Sequence, residues 1–167
     1  MRPGSTHWWL GKVRQTKRFL LARVADSERA AVGAWLNPEQ LALFDSMHVA
    51  DRRHGLDVMA ALREGGVDDR EVLLAGLLHD AGKGDTGLAP RVVYSLAQAR
   101  LTWVERAARW MPPMRRSLDR LDGHAEASAR LAEAALCSSR TVELIRWQDD
   151  PQDPDAGERL RLADEAS

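Results

Sequence analysis

The chain has 167 residues, which suits a single globular domain. Hydrophobic residues make up 44% and charged residues 29%, a balance that permits a buried core and excludes disorder of the whole chain. The one cysteine, Cys137, excludes an intrachain disulfide framework and a cysteine-rich zinc site. The formal net charge is −1, but residues 1–24 carry six basic side chains and no acidic one, whereas residues 149–167 are mainly acidic.

No run of about 18 apolar residues is present, so no membrane-spanning helix is expected. Residues 1–24 lack the apolar stretch and cleavage site of a signal peptide, and we expect a cytoplasmic protein. The basic segments would attract anionic partners. Because Arg outnumbers Lys 21 to 3, solvated helix faces in an arginine-rich proteome are the favoured explanation of these segments.

Helical periodicity runs through the sequence, and no sustained alternation of apolar and polar residues predicts a strand. Helices are predicted over 12–25, 38–47, 49–64, 69–81, 90–111, 124–136, 139–148 and 156–166. Asn37, Pro38 and Gln40 are typical of a capped helix start. We therefore predict an all-α protein of seven or eight helices, with residues 1–34 as a basic helical extension and residues 35–167 as the domain.

Several of these helices have clear stop signals. Gly65-Gly66 is expected to end the helix over 49–64, and Gly82 the helix over 69–81. Pro112-Pro113 is expected to end the long helix over 90–111.

Two polar residues, His79 and Asp80, lie at the end of an apolar helix in the segment Glu71–Gly84, EVLLAGLLHDAGKG. His79 follows Val72 and Ala75 along one line, and Asp80 continues the neighbouring apolar line. Burying an ionised carboxylate costs several kcal/mol unless a cation or strong donors satisfy it. A divalent metal would do so, and a hydrogen bond between His79 and Asp80 at the helix end is an equal alternative.

A second histidine favours the metal. His54 lies at helical spacing from Val58, Ala61 and Leu62, so it faces the core. A single histidine in this position is more often a core residue with a satisfied hydrogen bond than a ligand. Three polar residues on two core helices shift the balance towards a divalent ion such as Mn, Fe, Ni, Co, Zn or Mg.

The order His54, then His79-Asp80 in LLHDAGKG, then a late Asp in RLADEA resembles the H…HD…D signature of HD-domain metal-dependent phosphohydrolases. The likeness covers about residues 35–166, and AWLNPEQLALFDSMHVADRRHGLDV resembles small bacterial HD or HDIG proteins. The resemblance implies an all-α HD domain that binds a divalent metal, which activates water against phosphate esters. It also implies that the metal ligands are His54, His79, Asp80 and Asp164.

Two features of the family pattern concern residues after the HD pair. Lys83 remains in the HDAGK segment, and the resemblance implies that it lies near the substrate phosphate.

His124 resembles a further ligand of relatives with two metals, and we expect it to face the core with Ala127 and Leu131. Where such relatives carry adjacent histidines, this chain has Gln148 and Asp149, so one metal per chain is expected, with Asp149 as a possible oxygen ligand. No GYP motif follows, which disfavours the cyclic-di-GMP phosphodiesterase branch.

Residues around His54 have weaker signals. Arg53 is a candidate contact to the substrate phosphate. Asp51 is a candidate partner that fixes the tautomer of His54, and a favourable charge at the helix start is an equal alternative. His48 is expected to be a residue of the helix start rather than a ligand.

The predicted helix over 90–111 has an apolar stripe from Val93 to Met111, with Trp103 and Trp110 partly around it. Core packing is the favoured role for this helix. A helix lying on a membrane surface is the alternative, because Trp and Arg suit the level of lipid headgroups. No nucleic-acid partner is expected, because no reader motif accompanies the basic charge.

We therefore expect a metal-dependent phosphohydrolase that acts on a nucleotide or another small phosphate ester. Asp80 is the candidate general base, and Lys83 and Arg53 would balance the charge that develops on the phosphoryl oxygens. The alternative is a non-catalytic HD-type regulatory module that binds a nucleotide or a membrane surface. The sequence leaves the oligomeric state open.

Overall fold

The computed structural model describes residues 21–98 and 101–167, and all regular structure in these ranges is helical. Ten α-helices are present in them: α1 (Asp26–Gly33), α2 (Pro38–Ser46), α3 (Val49–Glu64), α4 (Arg70–Leu78), α5 (Leu88–Gln98), α6 (Thr102–Ala108), α7 (Pro112–Asp122), α8 (His124–Ala134), α9 (Ser139–Arg146) and α10 (Ala156–Ala166). A short 3₁₀ helix, Ala81–Lys83, follows α4. The all-α prediction is confirmed. None of these helices is both long and apolar enough to cross a membrane.

Local signals placed several helices correctly. At the start of α2, the Asn37 side chain accepts a hydrogen bond from the Gln40 backbone N–H at 2.7 Å, and the Gln40 side chain accepts one from the Asn37 N–H at 3.2 Å. This is the predicted capping box. Helix α3 ends before Gly65, and α10 has the predicted bounds.

The helix predicted over 69–81 ends earlier, at Leu78. The His79 backbone N–H still bonds to the Ala75 carbonyl at 2.9 Å, and the chain then turns into the 3₁₀ helix. A contact distant in sequence explains the difference, because the Gly82 backbone N–H donates to the Ser128 hydroxyl of α8 at 2.8 Å. The turn therefore directs the HDAGK segment towards α8.

The prediction of one long helix over 90–111 is wrong. The chain forms α5 and α6, and Leu101 before α6 has non-helical dihedral angles. Pro112 and Pro113 begin α7 instead of only ending a helix, because proline suits the first turn, where the backbone N–H has no partner. These changes and α1 explain why ten helices occur instead of seven or eight. Of the basic helix predicted over 12–25, residues 12–20 lie outside the described residues, Leu21 is helical, and residues 22–25 are not helical.

The core is centred on α4, which packs against α3, α9 and α10. The largest fully buried apolar residues of this core are Phe44, Val58, Leu74, Leu77, Leu78, Ile145 and Leu160. Burial of each such side chain contributes about 1.5–3 kcal/mol to folding. Val32 of α1 is also buried in this core, so α1 packs on the domain.

Candidate metal centre

Four of the residues singled out in the sequence lie together at one end of the core. His54 comes from the first half of α3, His79 and Asp80 from the end of α4, and Asp164 from the last turns of α10. Oδ1 of Asp164 is 2.7 Å from Nε2 of His54 and 3.3 Å from Nε2 of His79. Oδ1 of Asp80 is 3.4 Å from Nε2 of His79, and its Oδ2 is 3.9 Å from Nε2 of His54.

The orientation of His79 is fixed by the backbone. Its Nδ1 donates a hydrogen bond to the Gly76 carbonyl at 2.9 Å, so Nε2 is the nitrogen that would present a lone pair once it loses its proton to a bound metal. This nitrogen faces the carboxylates, and it is buried without a hydrogen-bond partner among the described residues. A ring that donates from one nitrogen and presents the other is typical of a histidine ligand to a metal.

The two carboxylate oxygens of Asp80 have different surroundings. Its Oδ2 accepts a hydrogen bond from the Lys83 ammonium at 2.5 Å, whereas Oδ1 is buried and has no hydrogen-bond partner in the described chain. A buried carboxylate oxygen without a donor costs free energy unless a cation approaches it. His79 and Asp80 therefore each present one unsatisfied atom to the same small space.

The charges of the cluster are strongly coupled. Burial opposes protonation of His79, but the negative charges of Asp80 and Asp164 outweigh it and raise the pKa of His79 to about 9. Burial would raise the pKa of Asp80, yet the nearby His79 and Lys83 hold it well below its usual range. Burial would raise the pKa of Asp164, but its hydrogen bond with His54 and the nearby His79 ring hold it well below its usual range. The carboxylates thus require positive charge beside them.

The donor set fits a divalent ion. The ligand atoms of His54, His79 and Asp164 all lie within 4.8 Å of one another. Two donors bound at about 2.1 Å and at right angles to one ion are about 3 Å apart, close to the separations from Asp164 to the two histidines. Two imidazoles and two carboxylates suit Mn, Fe, Co, Ni or Zn.

Two glycines allow the helices to approach closely enough to build the cluster. A Cβ on Gly55, the residue after His54, would lie 2.3 Å from the Leu77 carbonyl oxygen, so only glycine lets α3 meet α4 here. A Cβ on Gly82 would lie 2.4 Å from the His124 carbonyl oxygen of α8. His54 and His124 are thereby brought to the end of α4.

His124 is buried, as expected, but Gln148 occupies its free nitrogen. His124 Nδ1 donates to the Leu121 carbonyl at 2.7 Å, and its Nε2 accepts from the Gln148 amide at 3.1 Å. Burial, with the positive charge of Lys83, lowers the pKa of His124, so the ring is neutral. Its Nε2 is also 3.8 Å from Oδ1 of Asp80. Asp149 is exposed, and its negative charge partly offsets the lowering of the His124 pKa.

The inward face of α8 differs from the expected one. His124, Ser128, Ala129 and Ala132 are buried. Leu131, expected beside His124, is 41% exposed. The histidine is held inward by Gly82 and the 3₁₀ helix rather than by an apolar stripe through Leu131.

Arg53 does not join the cluster. Its guanidinium forms ion pairs with Glu28 of α1 at 2.6 Å and with Asp57 at 2.8 Å. Both carboxylates lie outside the cluster, so the expectation that Arg53 contacts a substrate phosphate is not supported. The reason is helical geometry, since neighbouring positions on a helix point about 100° apart.

Asp51 pairs with an arginine and not with His54, whose tautomer it was a candidate to fix. Its two carboxylate oxygens each accept a hydrogen bond of 2.6 Å from the Arg91 guanidinium of α5. Arg91 Nε also donates to the Thr86 carbonyl at 2.9 Å, which fixes the loop after the 3₁₀ helix. His48 caps the start of α3, as expected, because its Nδ1 accepts from the Ala50 backbone N–H at 3.2 Å.

Sequence reasoning missed Arg120. Its side chain lies over Gly84, where a Cβ would come within 3.3 Å of the guanidinium. Within the described residues Arg120 is exposed and forms no ion pair. No local signal marks this arginine, because α7 is brought against the 3₁₀ helix only by the fold.

No family model, no curated protein and no solved structure matches this chain. The cluster itself and the order of its residues in the chain are therefore the features that bear on function.

Proposed function

We propose that the protein is a metal-dependent phosphohydrolase of the HD-domain type. The observation that carries the proposal is the pair of buried, unsatisfied atoms, His79 Nε2 and Asp80 Oδ1, beside the ligand atoms of His54 and Asp164. These four residues would hold one divalent ion. The order H…HD…D in the sequence supports the same ligand set.

When bound, a divalent ion lowers the pKa of a water molecule and polarises a phosphoryl oxygen. The protein's own groups would complete the chemistry. Asp80 is ionised and lies at the position of the ion, so it is the candidate general base as well as a ligand. Lys83, held beside Asp80, would stabilise negative charge on the phosphoryl oxygens.

The substrate we propose is a nucleotide or another small phosphate ester. The ammonium of Lys83 and the exposed guanidinium of Arg120 flank the HDAGK segment. Two cationic groups of this kind suit the phosphate oxygens of such a substrate. Arg120 replaces Arg53 in this role because Arg53 is engaged by Glu28 and Asp57.

The test combines metal analysis with hydrolysis. The protein is loaded in turn with Mn, Fe, Co, Ni, Zn and Mg, and hydrolysis of an aryl phosphate and a panel of nucleotides is measured. We expect turnover with at least one metal and its loss in Asp80→Asn. Asp85→Asn is the matched control, because Asp85 is an exposed acid five positions further along.

Two results would contradict the proposal. Full activity of Asp80→Asn with its metal would exclude the assigned site. Stoichiometric metal binding without turnover on any phosphate ester would instead favour a non-catalytic module that binds a nucleotide.

A further inference from the structure

The corner between α6 and α7 exposes an unusual run of apolar residues. Trp110 is 87% exposed and Met111 54% exposed, and Pro112 and Pro113 are exposed as well. Four consecutive apolar residues on a surface are unfavourable unless something covers them. Met111 was expected at the end of a core-facing stripe, and its exposure shows that the stripe does not extend to the corner.

Helix α6 continues this surface. Trp103 is 69% exposed, and Arg106 follows it by three positions, which places both on one side of α6. The opposite side faces the protein through buried Ala108. Trp103 and Arg106 therefore lie on the outer side of α6, and the exposed apolar corner follows two residues after the helix ends.

The charge around this surface is positive. Residues 101–118 contain four arginines and one acid, Glu105. Arg109 forms ion pairs with Glu105, Asp119 and Asp122, and in doing so it ties α6 to α7. Within the described residues, Arg106, Arg115 and Arg116 are exposed and form no ion pair.

We propose that this surface docks on an anionic lipid bilayer. We call it the basic tryptophan surface, and it consists of Trp103, Arg106, Trp110, Met111, Pro112, Pro113, Arg115 and Arg116. Tryptophan side chains favour the level of the lipid headgroups, and arginines beside them attract anionic lipids. Met111, Pro112 and Pro113 present apolar side chains, which suit the acyl boundary of a bilayer better than a phosphodiester backbone. A membrane favours this combination over a nucleic acid.

The experiment measures sedimentation of the full chain with vesicles and needs neither metal nor substrate. Vesicles of phosphatidylcholine alone are compared with vesicles containing one quarter phosphatidylglycerol, at low and high salt. We expect binding to the anionic vesicles, weakened by salt. The double variants Trp103→Ala/Trp110→Ala and Arg115→Gln/Arg116→Gln should each reduce the partition coefficient at least about tenfold.

Trp147→Ala is the matched control, because Trp147 is 42% exposed and lies outside the basic tryptophan surface. It should bind as the wild type does. Residues 1–20 also contain basic residues and tryptophans, so only the variants assign the binding to this surface. Circular dichroism verifies that each variant keeps its helix content.

Three outcomes would overturn the proposal. The first is a wild type that stays in the supernatant, and the second is a pair of double variants that bind like the wild type. The third is binding to neutral vesicles that equals binding to anionic vesicles at both low and high salt. A wild-type dimer that becomes monomeric in Trp103→Ala/Trp110→Ala and binds no vesicles would identify the surface as a self-association interface instead. Salt-sensitive binding of a generic RNA without vesicle binding would also exclude the lipid partner.

Discussion

Nε2 of His54 lies 2.7 Å from Oδ1 of Asp164, although 110 positions separate the two residues in the chain. The contact joins α10 to α3. Leu160, one turn before Asp164, is 1% exposed, so α10 is anchored by an apolar side chain and by a carboxylate on the same face. A helix of this length is marginal in water without such contacts.

Asp164→Asn should weaken metal binding with little change in helix content. The amide keeps the shape of the side chain but removes the negative charge, while Leu160 still holds α10. Loss of a partner behind a ligand costs about 10–100-fold in metal affinity, so loss of a direct ligand should cost at least about 100-fold. Titration with Mn or Zn measures this loss, and far-ultraviolet circular dichroism verifies the helices.

Glu165→Gln is the control for Asp164→Asn, since Glu165 is the neighbouring acid and pairs with Arg161 outside the cluster. It should leave metal affinity unchanged. Wild-type affinity in Asp164→Asn would remove Asp164 from the ligand set and make Asp149 or Asp150 the next candidate.

The wild-type protein should bind one metal ion per chain, and Gln148→His should bind two. In the wild type the Gln148 amide occupies the lone pair of His124. A histidine at position 148 would add a second nitrogen donor beside His124 and Oδ1 of Asp80, which lie 3.8 Å apart. Elemental analysis of the purified proteins gives the count.

Gln152→His is the control for the added imidazole, because Gln152 is exposed and bonds only to the Asp150 carbonyl. Its metal content should equal that of the wild type. Two ions per wild-type chain, with one lost in His124→Ala, would show that Gln148 does not block the second position.

Gly55→Ala should lower both the free energy of unfolding and the metal affinity of the cluster that contains His54. The added Cβ would lie 2.3 Å from the Leu77 carbonyl oxygen, so α3 and α4 would have to separate. Overpacking of a core costs about 1–3 kcal/mol, and a collision with backbone should reach the upper end of this range. Urea unfolding measures the free energy of unfolding.

Gly87→Ala is the matched substitution, since a Cβ there meets nothing within 4 Å. It should change the free energy of unfolding by less than about 0.5 kcal/mol. A Gly55→Ala protein with wild-type stability and metal affinity would contradict the close contact between α3 and α4.

Arg120→Gln should raise the KM for a phosphate substrate about tenfold and change kcat less. Its guanidinium lies over Gly84, beside the Lys83 end of the 3₁₀ helix, and a charge-assisted hydrogen bond of about 1.4 kcal/mol corresponds to a factor of ten. Arg53→Gln is the control, because Arg53 is paired with Glu28 and Asp57. The opposite pattern, with a raised KM only in Arg53→Gln, would restore the role that the sequence suggested for Arg53.

The sequence predicted the features that depend on neighbouring residues. The Asn37 cap, the end of α3 before Gly65 and the bounds of α10 all follow from local hydrogen bonding and helical periodicity. The burial of His79 and Asp80 also follows from their position on an apolar helix. Resemblance to an ordered motif, rather than periodicity, singled out Asp164.

Only the tertiary structure decided the features that depend on contacts distant in the chain. Helix α4 ends at Leu78 because Gly82 bonds to Ser128, and the helix predicted over 90–111 is replaced by α5 and α6, which pack against each other. Arg53 faces Glu28, whereas Arg120 comes to lie over Gly84. A periodic pattern gives the side of a helix that is buried, but not the helix that covers it, so these partners could not be read from the sequence.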